Sequence, residues 1–461
     1  VCVLAATLAA CAGSLPATAP AAAPAETVSG SGGVNRPEHL DKPHLILVSL
    51  DGFRPAYLDE FDLPNMRRVL ARGARASAMM PVFPSLTFPN HYSLVTGLRP
   101  ARHGIVANSF YDPDRKQTYT MSAAGAVTDG SWYRGEPIWV TAERQGMVAA
   151  CFFWPGSEAA IGGVRPTMWR PYAGSVPNDE RVETVLEWLR LPPERRPHVI
   201  TLYFSEVDSA SHDGPVSAPG VQQAARSLDR SLGALLDGID ALGLRDRVYV
   251  LLTSDHGMVE TTSAQTIRLD SLIDLSEIEA AFDGAVASLH VRGGRARALR
   301  VRNVLNARLE HGRAYLRDEM PERFHYRADP RVGDIVVVMD ESWTLTTGAR
   351  DRRRSTDRWG MHGWDPALPS MHALFVAAGP GIRAGLTVPR VENIDVYPFM
   401  AELLGLRPAP GIDGRAGAIR RALERARPGR APLPQSAGST PLLRRVRRWE
   451  QNQPALFQPR R

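Results

Sequence analysis

The sequence predicts an α/β fold with a largely parallel central sheet, helices on both of its faces and a smaller inserted or edge subregion. Three observations carry this. Apolar runs of strand length alternate along the chain with segments of helical periodicity. Several of the runs lack polar alternation, as strands buried on both faces do. Asp51, Asp208 and Asp255 stand at or just past the carboxyl ends of three such runs, where open α/β sheets bind ligands. The 461 residues, 44% apolar and 23% charged, suffice for a large core and exclude wholesale disorder, a collagen-like fibre and a disulfide-stapled miniprotein. No internal stretch reaches 18 uncharged apolar residues, which excludes a polytopic membrane protein.

Taken in order, residues 1–10 are apolar and free of acids, and Leu8-Ala9-Ala10-Cys11 resembles the lipobox of bacterial lipoproteins. Residues 1–11 are therefore expected to be a signal peptide with a lipobox-like end. The protein is then exported, in the periplasm or on the outer membrane, and held at a membrane by acylated Cys11. An ordinary cleaved signal peptide is the alternative. Residues 12–42, rich in Ala, Pro, Gly, Ser and Thr, read as a flexible tether. The body, 43–424, opens with HLILVSLDGF, an apolar run ended by Asp51-Gly52. LPNMRRVLARG (63–73) and PIWVTAERQG (137–146) have helical spacing and end in Gly. MVAACFFW (147–154) reads as a strand, DERVETVLEWLRL (179–191) as a helix and HVITLYFSEVD (198–208) as a strand. A helix over 221–242 and the strand RVYVLLTSDHG (247–257) follow.

Residues 260–355 differ. AVASLHV (285–291) and RVGDIVVVMD (331–340) are short strand-like pieces around a helix near 297–309, read as the inserted or edge subregion. The sheet resumes with SMHALFVAAG (370–379), and VYPFMAELLGL (396–406) is a closing helix. Residues 425–461 read as a basic tail without order. Nine arginines against one acid, Glu450, fall there, so the net charge of +6 belongs to the tail and the body is slightly acidic. A nucleic-acid partner is not expected. The cysteines Cys2, Cys11 and Cys151 form no framework and no CxxC.

Chemistry is carried by acids and histidines. Asp208 and His212, four apart in VDSASHDG, share one face of a helical turn. Asp255 and His256 are adjacent in TSDHGM. With Asp51, three carboxylates and two imidazoles converge on one end of the sheet, and a further histidine can complete a set of six. Zn²⁺ takes such ligands readily, and six N/O donors divide into two three-ligand sites with open positions. Two divalent ions against three carboxylates leave a charge that suits a phosphodiester monoanion, and paired metals serve in-line phosphoryl displacement. A nucleophile is offered by Thr87, which stands before Phe88-Pro89 at the mouth of a predicted helix. On general grounds a threonine before a helix is more often its cap, and the two roles are compatible.

FPSLTFPNHYSLVTGLRPARHGIVANSFYDP (83–113) resembles the nucleotide pyrophosphatase/phosphodiesterase family of the alkaline phosphatase superfamily, in its compact bacterial form. LILVSLDGFRPAYL, WYRGEPIWVTAERQG, FFWPGSE, VDSASHDGP, TSDHGM, MHGWDP and LLGLRPAPG extend the likeness over about 43–415. The resemblance implies an alkaline phosphatase-like fold and a hydrolase with two Zn²⁺ ions, other divalent ions being possible. Asp51, Asp255 and His256 match one zinc site, and Asp208, His212 and His362 the other. Thr87 matches the nucleophile. Asn108, with the backbone N–H of Phe88, matches the donors to a non-bridging phosphate oxygen. Phe88 and Tyr203 match positions that stack a nucleobase, and Trp154 either lines the same pocket or belongs to the core. His372, His91 and His103 are read as structural. The implied reaction cleaves nucleotide phosphodiester or pyrophosphate bonds through a phospho-threonine intermediate and releases nucleoside 5′-monophosphates. The alternatives are a phosphomonoesterase of the superfamily using Arg165 or Arg134 for the extra charge, a lysophospholipid or choline phosphodiesterase, and a non-catalytic metal- or nucleotide-binding lipoprotein.

Overall fold

Strand β1 (His44–Leu50) is buried along its whole length, as an unbroken apolar run requires. Side chains alternate across it: Ile46, Val48 and Leu50 join one hydrophobic cluster, Leu45 and Leu47 the other. The structure, a computed structural model, describes residues 31–282, 284–348 and 356–423. The expected signal peptide with Cys11, most of the expected tether and the basic tail lie outside these residues.

After β1 come α1 (Pro64–Arg72), β2 (Gly73–Ala76), α2 (Thr87–Thr96), the hairpin β3 (Ser109–Asp112) and β4 (Gln117–Thr120), and α3 (Ile138–Arg144). Then follow β5 (Ala149–Phe152), β6 (Met168–Arg170), α4 (Asn178–Arg190), β7 (Val199–Phe204), α5 (Glu206–His212), α6 (Pro219–Ala241) and β8 (Val248–Thr253). β9 (Val259–Thr262) leads to β10 (Ile278–Phe282), β11 (Val286–Val291), α7 (Gly294–Arg308), β12 (Gly312–Leu316) and β13 (Ile335–Met339). Further along the chain are β14 (Arg358–Met361), β15 (Phe375–Ala378), β16 (Leu386–Val388) and α8 (Val396–Leu404).

Eight strands form the main sheet in the order β16-β2-β15-β8-β1-β7-β5-β6. All run parallel except β15, which is antiparallel to both β8 and β2. Apolar residues of α1, α4 and α6 pack on one face; those of α2, α3 and α8 pack on the other. Segment 278–339 forms its own antiparallel sheet, β10-β11-β13-β12, beside α7. No helix among the described residues is long and apolar enough to cross a membrane.

Three expectations change. Residues 31–42 are docked against the body. Asn35, 3% exposed, donates from Nδ2 to Pro193 O and Arg196 O, and its Oδ1 accepts from Val148 N. An amide that meets three backbone groups replaces the apolar contacts the composition lacks. The run 198–208 is strand only to Phe204, after which the chain turns into α5. His372 precedes β15 and is not within it.

Candidate active site

Three parallel strands deliver the carboxylates. At the end of β1, Asp51 is followed by Gly52 at φ +64°, where a Cβ would stand 3.0 Å from Asp208. Only glycine fits that close approach, and its N–H donates to Asp255 Oδ1 at 3.2 Å. Past β7, α5 carries Asp208 and His212 one turn apart, with His212 Nε2 3.4 Å from Asp208 Oδ2. Past β8, Asp255 and His256 are wholly buried, and His256 Nε2 lies 2.9 Å from Asp255 Oδ2 and 3.6 Å from Asp51 Oδ1. The loop after β14 brings in His362, its Nε2 3.7 Å from Asp208 Oδ1 and its ring stacked on His256 at 3.6 Å between centroids. All six residues expected as ligands therefore meet at one end of the sheet.

The imidazoles share one arrangement. Nδ1 of His256 donates to Gly257 O, that of His212 to Gly360 O and that of His362 to Ser85 O, at 2.8, 2.9 and 2.9 Å. A backbone carbonyl on Nδ1 leaves Nε2 as the lone-pair nitrogen, the orientation that metal-bound histidines adopt. Facing them, Asp51 Oδ1, Asp208 Oδ1 and Asp255 Oδ2 are buried without a hydrogen-bond partner. Acceptors opposed to acceptors in a buried space need cations between them, so the donor set fits divalent metal. Electrostatics agree. Burial, then the carboxylates of Asp255 and Asp208, hold Asp51 well above the usual carboxylate range. Against the lowering effect of its own burial, His256 is raised by Asp255.

His256 sits between two groups. Ligand atoms of Asp208, His256 and His362 lie within 4.8 Å of one another, as do those of Asp51, His91 and Asp255. His256 belongs to the first of these by that grouping and also approaches Asp255 at 2.9 Å and Asp51 at 3.6 Å. His91 is a poor ligand, because both its nitrogens are engaged: Nδ1 with Thr87 O at 2.9 Å and Nε2 with Ser49 Oγ at 2.7 Å. It braces the start of α2 against β1, a structural role. His103, bonded to Ser93 Oγ, and His372 lie outside the cluster.

Thr87 is the first residue of α2 and not its cap; Leu86 holds the cap position and makes no side-chain cap bond. The Thr87 hydroxyl is thus left to the site, with Oγ1 3.4 Å from His256 Nε2. Asn108, also buried, accepts the Phe88 N–H on Oδ1 at 2.9 Å. That N–H is therefore engaged by the amide, and the Asn108 Nδ2 hydrogens remain as donors for an anion.

The expectation for Tyr203 is corrected, and of the two readings of Trp154 the core one holds. Tyr203 is 7% exposed, and its hydroxyl donates to Asp51 Oδ2 at 2.5 Å. Trp154 is 1% exposed, donates to His91 O and packs its ring on His91. Neither presents a face to a ligand. Phe88, half-buried, keeps part of its surface accessible. The exposed ring nearby is Tyr172, 51% exposed, 6.2 Å from Tyr203 between centroids. It lies in RPYAGSVP, a Gly/Pro loop without periodicity, and sequence reasoning passed over it. An aromatic in a loop just past a strand was the available signal. Arg134 is committed to the buried Asp329, and Arg165 donates to Glu158 O while its guanidinium lies over Trp169.

A family model described as type I phosphodiesterase / nucleotide pyrophosphatase matches residues 45–365. Human ectonucleotide pyrophosphatase/phosphodiesterase family member 1 is 38% identical over 403 residues, 84% of this chain and 42% of its own. Venom phosphodiesterase 2 of Crotalus adamanteus is 36% identical over 434 residues, 90% of this chain and 51% of its own. The chain thus spans about half the length of these relatives. Among solved structures, an inactive threonine-to-alanine variant of murine ectonucleotide pyrophosphatase/phosphodiesterase 5 in complex with AMP superposes with a TM-score of 0.77 at 30% identity. That match covers 83% of this chain and all of the other.

Proposed function

Because the chain belongs to the type I phosphodiesterase / nucleotide pyrophosphatase family, we propose that it hydrolyses nucleotide phosphodiester or pyrophosphate bonds and releases nucleoside 5′-monophosphates. The observation that carries this is the confrontation of three Nδ1-anchored imidazoles with three unpartnered carboxylate oxygens, with the Thr87 hydroxyl 3.4 Å from His256 Nε2. Asp51, Asp255 and His256 would hold one Zn²⁺; Asp208, His212 and His362 would hold the other. When bound, the two ions supply Lewis acidity that lowers the hydroxyl pKa and stabilises the leaving oxygen.

The chain's own residues do the rest. Thr87 Oγ1 attacks phosphorus in line, the bond to the leaving oxygen breaks, and a phosphodiester of Thr87 forms. Water then attacks the same phosphorus, and Thr87 leaves with its hydroxyl restored. The Asn108 Nδ2 hydrogens offer donors to a non-bridging oxygen, which gains charge in both steps. Tyr203 holds Asp51 in place. Phe88 and the exposed face of Tyr172 offer stacking surface for a base. The AMP carried by the murine relative, and the inactivity of its threonine-to-alanine variant, support this reading. A phosphomonoesterase is less well supported, because Arg134, one of two candidates for the extra charge, is spent on Asp329.

The test is a kinetic comparison on the zinc-loaded protein. Thymidine 5′-monophosphate p-nitrophenyl ester should be preferred over bis-p-nitrophenyl phosphate and p-nitrophenyl phosphate. Thr87→Ala should lower kcat on the order of 10³-fold or more. A preference for the monoester would overturn the diesterase assignment.

A further inference from the structure

Arg181 is wholly buried, an expensive place for a guanidinium. On the first turn of α4, it donates from Nε to Val176 O at 3.0 Å, from Nη1 to Tyr203 O at 3.0 Å and from Nη2 towards Gly174 O at 3.5 Å. Its one carboxylate contact among the described residues, Glu206 Oε1 at 3.4 Å, is partly exposed. A buried charge with one loose ion pair contributes little stability over an apolar residue of similar volume. What the planar fork does provide is geometry. It joins the end of β7 to the loop at 174–176, and its guanidinium carbon lies 5.3 Å from the Phe153 ring centroid. Phe153, in left-handed backbone at φ +65°, carries Tyr172 edge-on at 5.3 Å. The layers run from Arg181 through Phe153 to the exposed ring of Tyr172.

We infer that Arg181 is a positioning residue for substrate specificity, fixing Phe153 and the 174–176 loop so that Tyr172 presents its face to the base of a nucleotide substrate. The inference rests on the nucleotide reading above. Arg181 touches no substrate itself.

The experiment measures kcat/KM for thymidine 5′-monophosphate p-nitrophenyl ester against bis-p-nitrophenyl phosphate, which has no base. It does so in the wild type, Arg181→Lys and Phe153→Leu, each with Tyr172 and with Tyr172→Ala. Lysine keeps the charge but not the fork, so the ratio should fall about tenfold in Arg181→Lys, through KM for the nucleotide ester. In the Tyr172→Ala background the same change should move the ratio less than about twofold, since the two residues act as one unit. Equal losses on both substrates, or an undiminished fall without Tyr172, would overturn the inference. If Arg181→Lys fails to fold, Phe153→Leu carries the same expectation, and an unchanged ratio there overturns it. A wild type without nucleotide preference overturns the nucleotide reading and this inference with it. A wild-type preference that survives Arg181→Lys overturns the inference alone.

Discussion

Single residues at the site divide into those that offer ligand atoms and those that hold such residues still. Tyr203 belongs to the second kind. Its 2.5 Å bond to Asp51 Oδ2 leaves only Oδ1 for a cation. Tyr203→Phe should therefore weaken zinc binding about 10- to 100-fold, the usual effect of removing a bond to a metal ligand. Zinc retained after dialysis against graded chelator measures this, and unchanged retention would remove Tyr203 from the positioning set. Reading by residue found the place of a side chain where sequence position defined it. Asp51, Asp208 and Asp255 follow strands, and His212 follows Asp208 by one helical turn. It failed where burial defined the role. Tyr203 and Trp154 are aromatic, as base-stacking residues are, but an aromatic side chain does not announce which face the fold will cover. His362 arrives on a loop after β14, and its place among six ligands was supplied by resemblance alone.

At the scale of elements, apolar runs mark the strands because both faces of the sheet are covered. The helices were legible from their periodicity. Their anchoring was not. Helix α1 begins at Pro64 without a side-chain cap of its own. Asp229, in the middle of α6 and 2% exposed, accepts from Asn65 N at 3.1 Å and from Met66 N at 2.7 Å. The cap comes from a residue more than 160 positions away. Asp229→Ala would leave those N–H groups buried without acceptors, a loss of about 2–3 kcal/mol. Equilibrium urea unfolding should show it as a lower midpoint at an unchanged slope. A midpoint within error of the wild type would mean that water or a neighbour replaces the carboxylate. Strand direction was also hidden: β15 has the same apolar pattern as its neighbours yet runs antiparallel.

Across the whole molecule, acid should act at the end of the sheet away from the ligands. His44, at the start of β1, and His198, just before β7, stack at 4.7 Å, each donating Nδ1 to a proline carbonyl beside the other. Burial first, then His198 beside His44 and the positive groups His39, Arg247 and Arg196 around His198, lower them to about 3 and about 4 from the ordinary 6.5. Both are harder to protonate folded than unfolded. Their contribution to stability is complete above about pH 6.5 and is lost as pH falls towards 4. At pH 5 each ring should have lost about 2 kcal/mol, at 1.36 kcal/mol per pH unit below 6.5. His44→Leu with His198→Leu should flatten the dependence of the urea midpoint between pH 7 and 5, and a slope equal to the wild type would refute the assignment. By itself the sequence determined the layered α/β architecture and the end of the sheet at which the acids and histidines gather. These follow from hydrophobic periodicity and from residue types at fixed offsets, both of which are local. The tertiary structure decided which histidine nitrogens face the carboxylates, which aromatics are buried, how residues 31–42 dock and where Arg181 places its fork. Those depend on contacts between residues far apart in the chain, and no local pattern encodes them.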